Sequence, residues 1–254
     1  MKYGLIYAPT SNIGDDIQCY AAMLFLPAVD YFIDRENLIG DINKYITKPT
    51  KIIFNGWWCH NPKTWFINEY VDPLFISMHL IDKAKSSFVH FLQSANIKQP
   101  IGCRDIHTLK FLQSQGIKSY FSGCLTLTLP KLAVTKDIET LYVDPHDVII
   151  DPASPKNKNM HISNGVKGLL RCSASNRIKM AEKHLETYAR SRRVVTSRLH
   201  CFLPCKAMGV AVEFKNNSRD MKRRISGYED ITQKRIQTIR KQLVKRVEEF
   251  IQNE

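Results

Sequence analysis

Arg193-Val194-Val195-Thr196-Ser197-Arg198-Leu199-His200-Cys201-Phe202-Leu203-Pro204-Cys205-Lys206-Ala207-Met208-Gly209-Val210-Ala211-Val212-Glu213-Phe214 is the stretch from which the fold can be argued. Val194-Val195 reads as a short buried strand, and Thr196-Ser197-Arg198 as a polar elbow whose hydroxyls can cap a helix. Gly209 stops that helix, and Val210 to Phe214 is apolar enough to lie inside a parallel sheet. In a strand–helix–strand unit, ligands gather where strands end and helices begin, because free backbone N–H groups there attract anions. Arg198 and His200 fall at that junction, so a cation and a proton-donating ring head the list of candidate site residues.

The flanks extend the same pattern. Arg177 to Ala189 places Ile178, Ala181, Leu185 and Tyr188 on one helical face with basic residues opposite. Before it, Leu141-Tyr142-Val143-Asp144 reads as a strand and Asp151 to Asn159, with Pro152 and Pro155, as an exposed loop. Lys131 to Glu139 is charged and aperiodic, the composition of a linker. After the unit, Asn216-Asn217 breaks the chain and Met221 to Asp230 is irregular and basic. A last helix, Ile231 to Gln252, lines up Ile236, Ile239, Leu243, Val247 and Phe250. Its narrow aliphatic stripe suits packing back across a domain better than lying in a membrane.

The first half repeats the alternation. Lys2 to Ala8 is a buried strand, residues 9–16 form a loop of turn formers, and Ile17 to Leu26 is a helix with Asp15 or Asp16 as its cap. Asn12, Gly14 and the two aspartates either present amides and carboxylates to a ligand or simply make the turn and cap the helix. A lone glycine is not a phosphate-binding fingerprint. Lys51 to Phe54 is a second strand, stopped by Asn55-Gly56. Trp57, Trp58, His60 and Trp65 follow, a platform for a sugar ring or a local apolar plug. Pro73 to Leu80 is a third strand, and His79 near its end reads first as a core histidine. Ser86 to Ala95 is helical, Pro100 to Cys103 is a short strand, and Arg104-Asp105 opens the helix Ile106 to Gln115, closed by Gly116. A cation at a helix start opposes the helix dipole unless it faces an anion, which singles out Arg104. Tyr120 to Cys124 adds a strand and a small-residue loop. Strands alternating with helices throughout give an α/β fold with a mostly parallel sheet.

The chain has 254 residues, 44% of them hydrophobic, enough to bury a sizeable core as one large domain or two small ones. No run of eighteen apolar residues suggests a membrane span, and the apolar start of the chain reads as a first strand rather than a signal peptide. The seven cysteines include no Cys-x-x-Cys pair, which suits reduced thiols in the cytoplasm. His200-Cys201 with Cys205 lacks a second ligand pair at metal spacing, so no metal site is expected. The formal charge of +13 is uneven: residues 1–130 carry 12 Lys/Arg against 10 Asp/Glu, residues 156–193 carry 10 against 2, and residues 215–254 carry 11 against 6. That excess favours an anionic substrate, nucleic acid or a membrane surface, or is a solvated basic face with no specific partner. There is no internal repeat.

Taken in order, Asn12-Ile13-Gly14-Asp15, Ile101-Gly102-Cys103-Arg104-Asp105, Ser122-Gly123-Cys124-Leu125-Thr126 and Thr196-Ser197-Arg198-Leu199-His200 resemble the motifs of the polysaccharide pyruvyl transferase family. The resemblance spans roughly residues 3–214. It implies a glycosyltransferase-B-like architecture of two Rossmann-like halves facing a cleft. Residues 1–130 would form the acceptor half and 131–230 the donor half, with 231–254 as a terminal helix crossing back onto the first. It also implies transfer of the enolpyruvyl group of phosphoenolpyruvate to two sugar hydroxyls, with release of phosphate and no further cofactor. By the same resemblance Arg104 and His200 are donor-site residues; Arg198, Asn12, Gly14, Ser122, Gly123, Ser197, Trp57 and His79 are the further substrate-binding candidates. The chain has Asn55-Gly56-Trp57-Trp58 where many members carry a glycine-rich loop, and Gly123-Cys124-Leu125 where many have Gly-Asp-Pro.

The chemistry fits these side chains independently. Guanidinium forks on Arg104 and Arg198 match a carboxylate and a phosphate. His200 is poised to deliver a proton or to steady the departing phosphate, and Asp15 or Asp16 to take the proton of an attacking hydroxyl. The partners of this reading are phosphoenolpyruvate and a carbohydrate, polymer or lipid-linked, with the basic patches offering a peripheral contact to an anionic membrane. A nucleotide-sugar glycosyltransferase would share the fold, and a noncatalytic sugar-binding relative would bind glycan without releasing phosphate. A nucleic-acid-binding protein would rest on net charge alone; no nucleic-acid module is legible, so none is expected as a partner.

Overall fold

The computed structural model describes residues 1–97, 99–145, 159–216, 218–229 and 231–253. Two sheets, parallel in every pairing, organise them. The first is made of β1 (Lys2–Tyr7), β2 (Tyr31–Asp34), β3 (Thr50–Trp58), β4 (Val71–Leu80), β5 (Ile101–Cys103) and β6 (Ser119–Phe121), in the order β2-β1-β3-β4-β5-β6. Its helices are α1 (Ile13–Met23), α2 (Leu38–Tyr45), α3 (Asp82–Ser94) and α4 (Ile106–Ser114). The second sheet has β7 (Ile138–Val143), β8 (Asn159–Ile162), β9 (Ser191–Thr196) and β10 (Ala211–Phe214), in the order β10-β9-β7-β8. With it go α5 (Ala174–Arg190), α6 (Leu199–Met208), α7 (Arg219–Arg224) and the long α8 (Gln233–Gln252). This is the expected α/β class, a glycosyltransferase-B-like arrangement of two parallel sheets.

The organising stretch forms as its composition dictates, with β9, α6 and β10 in sequence. Gly209 ends α6 with φ 75°, in the left-handed region that a side chain would disfavour. The hydroxyls of the elbow do not cap α6, however. Thr196 Oγ1 donates to Val143 O (2.9 Å) and Ser197 Oγ to Asp144 O, so both tie the elbow to β7. Arg198 occupies the cap position without a side-chain bond to the helix.

Several sequence expectations are corrected. Helix α1 begins at Ile13, four residues before the expected start, and its cap is Asn12, whose Oδ1 accepts from Gly14 N at 3.1 Å. Asp15 and Asp16 therefore lie inside the first turn. Asn55-Gly56 does not stop β3; the strand absorbs it as an irregularity, with a register shift against β4 between Phe54 and Gly56. Strand β2 and helix α2 had no expected counterpart, and α7 lies in the stretch expected to be irregular. Strand β7 begins within the expected linker, at Ile138. The expected loop over 151–158 lies outside the described residues.

One apolar cluster runs through both sheets, from Leu5 and Ile53 through Ile13 and Ile17 of α1 to Leu141, Leu185 and Leu203. The face of α8 carrying Ile236, Ile239, Leu243 and Val247 closes it. Each such side chain removed from water contributes about 2 kcal/mol. Arg240 fastens α8 at both sides of the seam, donating to Leu127 O (2.9 Å) and Ala207 O (3.0 Å). The far end of α8 is held by buried Lys51, whose Nζ donates to Phe250 O, Ile251 O and Asn253 O, a cation at a helix C-terminus. A second cluster fills the opposite face of the first sheet, where Trp58, Trp65, Phe88 and Phe91 stack.

Candidate active site

The carboxyl ends of β1, β4, β5 and β9 converge on a single buried polar cluster. Arg104 follows β5 directly, and its main chain is held on both sides: N–H donates to Met78 O (2.8 Å), while its carbonyl accepts from Tyr228 Oη (2.5 Å). The side chain is fully enclosed. Nη1 donates to Gln18 Oε1 at 2.8 Å and faces His200 Nε2 at 3.1 Å, while Nε and Nη2 have no partner. Among the described residues Arg104 makes no ion pair. An uncompensated buried guanidinium costs several kcal/mol, and among the described residues no carboxylate lies within ion-pair distance to offset this one.

His200 enters from the first turn of α6, where the helix is interrupted: its φ/ψ of −86°/21° is non-helical. Pro204 accounts for this. Four residues on, it has no N–H for the His200 carbonyl, and its ring crowds that oxygen. The imidazole then meets two donors, Arg104 at Nε2 and Gln18 Nε2 at Nδ1 (3.2 Å). A neutral ring accepts at one nitrogen only, and a guanidinium can only donate. Nε2 must therefore be the acceptor and Nδ1 the protonated atom. Gln18 would have to turn its oxygen toward Nδ1, away from Arg104, to satisfy it. Donors outnumber acceptors in the cluster. Burial, followed by the charges of Arg104, Arg224 and Arg35, holds His200 well below the usual histidine range, so the ring is neutral near pH 7. Gly14 admits the ring: a Cβ there would lie 3.1 Å from His200 Cβ.

Two further arginines each leave one nitrogen unpaired, although both have carboxylate partners, Glu36 and Asp15 for Arg35 and Asp220 for Arg224. Arg35, buried at the end of β2, leaves Nη2 unpaired; its Nε donates to Glu36 (3.0 Å), and Nη1 lies 3.7 Å from Asp15 Oδ1. Arg224 on α7 leaves Nε unpaired, and burial and Arg104 lower its proton affinity. Asp15 accepts from Thr10 Oγ1 (2.8 Å) and, weakly, from Gln18 Nε2 (3.4 Å). Asp15, Gln18, Arg35, Asn55 and Gly56 enclose a narrow cavity of about 10 Å³.

Beside this cluster His79 Nδ1 and Asp105 Oδ2 are 2.6 Å apart, both side chains buried. Asp105 also caps α4, accepting from Thr108 N at 2.8 Å. Burial and the Arg104 charge outweigh Asp105 and push His79 down to about 4. Burial alone would raise Asp105, but the His79 bond, Arg104 and Thr108 hold it below the usual carboxylate range. His79 is thus neutral, donating from Nδ1 to an ionised carboxylate.

Of the residues singled out from sequence, the structure brings Arg104, His200, Gly14, Asp15 and His79 together. Asp16 stands apart: it is fully buried in a fork with Arg177, Nε to Oδ1 at 2.8 Å and Nη2 to Oδ2 at 2.9 Å. Burial pushes its carboxyl up to about 7 despite Arg177. Arg198 is exposed and pairs with Asp144 (2.8 Å), and Ser197 ties to the same residue. Ser122 bridges strands, accepting from Ser77 N (3.1 Å) and donating to Cys103 O (3.1 Å). Gly123 lets α8 approach, since a Cβ there would fall 2.5 Å from Ile239. Trp57 lies half-buried under the Arg35 guanidinium, 5.2 Å from ring centroid to Cζ. Sequence reasoning missed Gln18, Arg35 and Arg224. The signal for Gln18 was its place one turn after Gly14, on the same helical face. Among the described residues no cluster of three His, Cys, Asp or Glu side chains has the form of a metal site, and no helix is long and apolar enough to cross a membrane. A more spacious cavity, about 580 Å³, lies away from the cluster, between Tyr20, Leu132, Val134 and α5, and holds none of the unpaired groups.

A family model described as polysaccharide pyruvyl transferase matches residues 12–212, most of the chain and all of the cluster except Arg224. Among solved structures, a functionally uncharacterised protein from Klebsiella pneumoniae is similar in fold, with a TM-score of 0.51 at 12% identity. That match covers 88% of this chain and 87% of the other. No curated protein matches the chain.

Proposed function

The chain belongs to the polysaccharide pyruvyl transferase family, and we propose that it moves the enolpyruvyl group of phosphoenolpyruvate onto two hydroxyls of a sugar in a glycan or glycan precursor. The products are a pyruvate ketal and phosphate. One observation carries the reading: Arg104 is fully enclosed, without a carboxylate and with two unpaired nitrogens, at the end of a parallel strand. Phosphoenolpyruvate brings a carboxylate and a phosphate, and charge-assisted bonds from Arg104, flanked by Arg35 and Arg224, match both.

The atoms balance as follows. Two hydroxyl protons are given up; one ends on the methylene carbon, which becomes the ketal methyl, and the other leaves with phosphate. In the free protein His200 is neutral, because it is buried and because cations lie around it. A bound donor anion offsets the second of these, so the proton affinity of the ring rises and it can act as an acid when the donor is present. Asp15 is the carboxylate left to accept a hydroxyl proton, since both oxygens of Asp16 are taken by Arg177. The cytoplasm is the compartment of this reading, and the acceptor is a polymer or a lipid-linked precursor.

Incubation with phosphoenolpyruvate and sugar oligomers bearing vicinal or 4,6-diols tests it. Phosphate release in step with a new ketal methyl resonance is the expected result. Transfer from a nucleotide sugar in the same assay, with phosphoenolpyruvate inert, would overturn it.

A further inference from the structure

The reaction needs two hydroxyl protons removed, and Asp15 accounts for one. A cavity of about 130 Å³ is lined by His79, Asp82, His107 and Arg223 among others. We infer that this cavity admits the sugar acceptor, and that His79, oriented by Asp105, is the base that takes a proton from one acceptor hydroxyl.

The inference rests on the transferase reading and on three observations about the pair. The first is geometry: Nδ1 is engaged by Asp105 at 2.6 Å, so the ring can turn only Nε2 toward the cavity, and Nε2 has no hydrogen-bond partner among the described residues. The second is rigidity. Asp105 is pinned from two directions by Thr108, through N–H (2.8 Å) and Oγ1 (3.3 Å), and Thr108 Oγ1 in turn accepts from Leu80 N (3.2 Å). A carboxylate so held fixes the tautomer of its histidine, which leaves a lone pair at the outer nitrogen. The third is proximity to the donor site. Asp105 adjoins Arg104 in sequence, and the charge of Arg104 depresses His79 directly.

The resting ring is a weak base, held at about 4 by burial and then Arg104. A donor anion lying on Arg104 cancels the second of these, so His79 gains basicity when the donor is bound. The charged groups facing the ring from the surrounding elements fit that change: Asp105 from α4, Arg104 from the β5–α4 turn, and Arg224 from α7. The rim of the cavity is polar, with Asp82 paired to Lys85 (2.8 Å) and to Arg223 (3.1 Å), side chains suited to sugar hydroxyls. His79 is the catalytic residue of this pair and Asp105 a positioning residue.

The test compares His79→Gln and Asp105→Asn with the unmutated protein. Both variants are expected to keep the rise in melting temperature caused by phosphoenolpyruvate. His79→Gln is expected to lower kcat for ketal formation about 100-fold or more, with part of the rate restored by added imidazole to a His79→Gly variant. Asp105→Asn is expected to lower kcat with KM for phosphoenolpyruvate unchanged, and to move the acid limb of the pH–rate profile. Nitrogen-15 shifts of histidine in the unmutated protein give a check independent of any variant's folding: a protonated Nδ1 and bare Nε2 at His79 are expected. The reverse tautomer overturns the inference, as does His79→Gln at full kcat. An unmutated protein that releases no phosphate from phosphoenolpyruvate with any acceptor defeats the transferase reading instead, and this inference with it.

Discussion

Arg104 and His200 carry conflicting demands: each is buried as if structural, yet two guanidinium nitrogens of Arg104 have no partner among the described residues, and both nitrogens of His200 face donors. A site held ready for an anion trades stability for function, so neutralising it should stabilise the empty protein. Arg104→Met is expected to raise unfolding stability by about 1–3 kcal/mol in urea titrations while abolishing the response to phosphoenolpyruvate. A loss of stability instead would mean that the guanidinium is compensated in the free state. The histidines give a second prediction. Unfolded His79 takes up its proton near pH 6.5, but folded only near about 4, so between those values the unfolded state binds more protons. His200 shifts in the same direction. The histidine contribution to stability should therefore be full above about pH 6.5 and fall as pH drops toward about 4, about 3 kcal/mol for His79 alone, while the raised carboxyl of Asp16 acts in the opposite sense over the same range. The difference in urea midpoint between the unmutated protein and His79→Gln should change with pH, and a difference that stays constant between about pH 7 and about pH 5 would contradict it. At this scale the sequence was informative where a residue sat at a strand end: Arg104 and His200 stood out for that reason. Arg35 and Arg224 did not, because β2 has only four residues and α7 is a short, mostly basic helix, and neither carries a clear apolar period.

Neighbouring residues in one element can belong to different systems, as α1 shows. Asp15 and Asp16 are adjacent in sequence, yet successive residues on a helix point about 100° apart, so one faces Arg35 and the other Arg177. Nothing in the string Asp-Asp distinguishes them; the second half of the chain, which supplies Arg177, does. Arg177 also donates to Ala8 O and Thr10 O (2.7 Å each), so this pair joins α5 to the β1–α1 loop that bears the site. Asp16→Asn leaves Arg177 buried without its charge partner and should cost about 3–5 kcal/mol, seen as a lower urea midpoint. A cost below about 1 kcal/mol, the scale of an exposed pair, would show that the fork is not a structural tie. Helix α6 makes the opposite point, since its defect was written in the chain. Pro204, four residues after His200, marks the break that turns the imidazole out of the regular helix.

At the scale of the molecule, alternating strands and helices sufficed for the α/β class, and the ends of those strands sufficed to single out Arg104 and His200, which meet in the buried cluster. The way the sheets meet did not follow from local pattern, because it depends on one apolar cluster shared by α1, α5, α6 and α8. That cluster places Gln18 of α1 between Arg104 of the first sheet and His200 of the second. The two sheets thus contribute one cation and one proton carrier to a single point. The most direct measurement is calorimetric titration of phosphoenolpyruvate into the unmutated protein, Arg104→Gln and His200→Gln, each in two buffers of different ionisation enthalpy. Binding accompanied by proton uptake is expected in the unmutated protein, binding without uptake in His200→Gln, and none in Arg104→Gln. Equal binding in the unmutated protein and Arg104→Gln, or no binding in any of the three, would contradict the assignment of this cluster as the donor site.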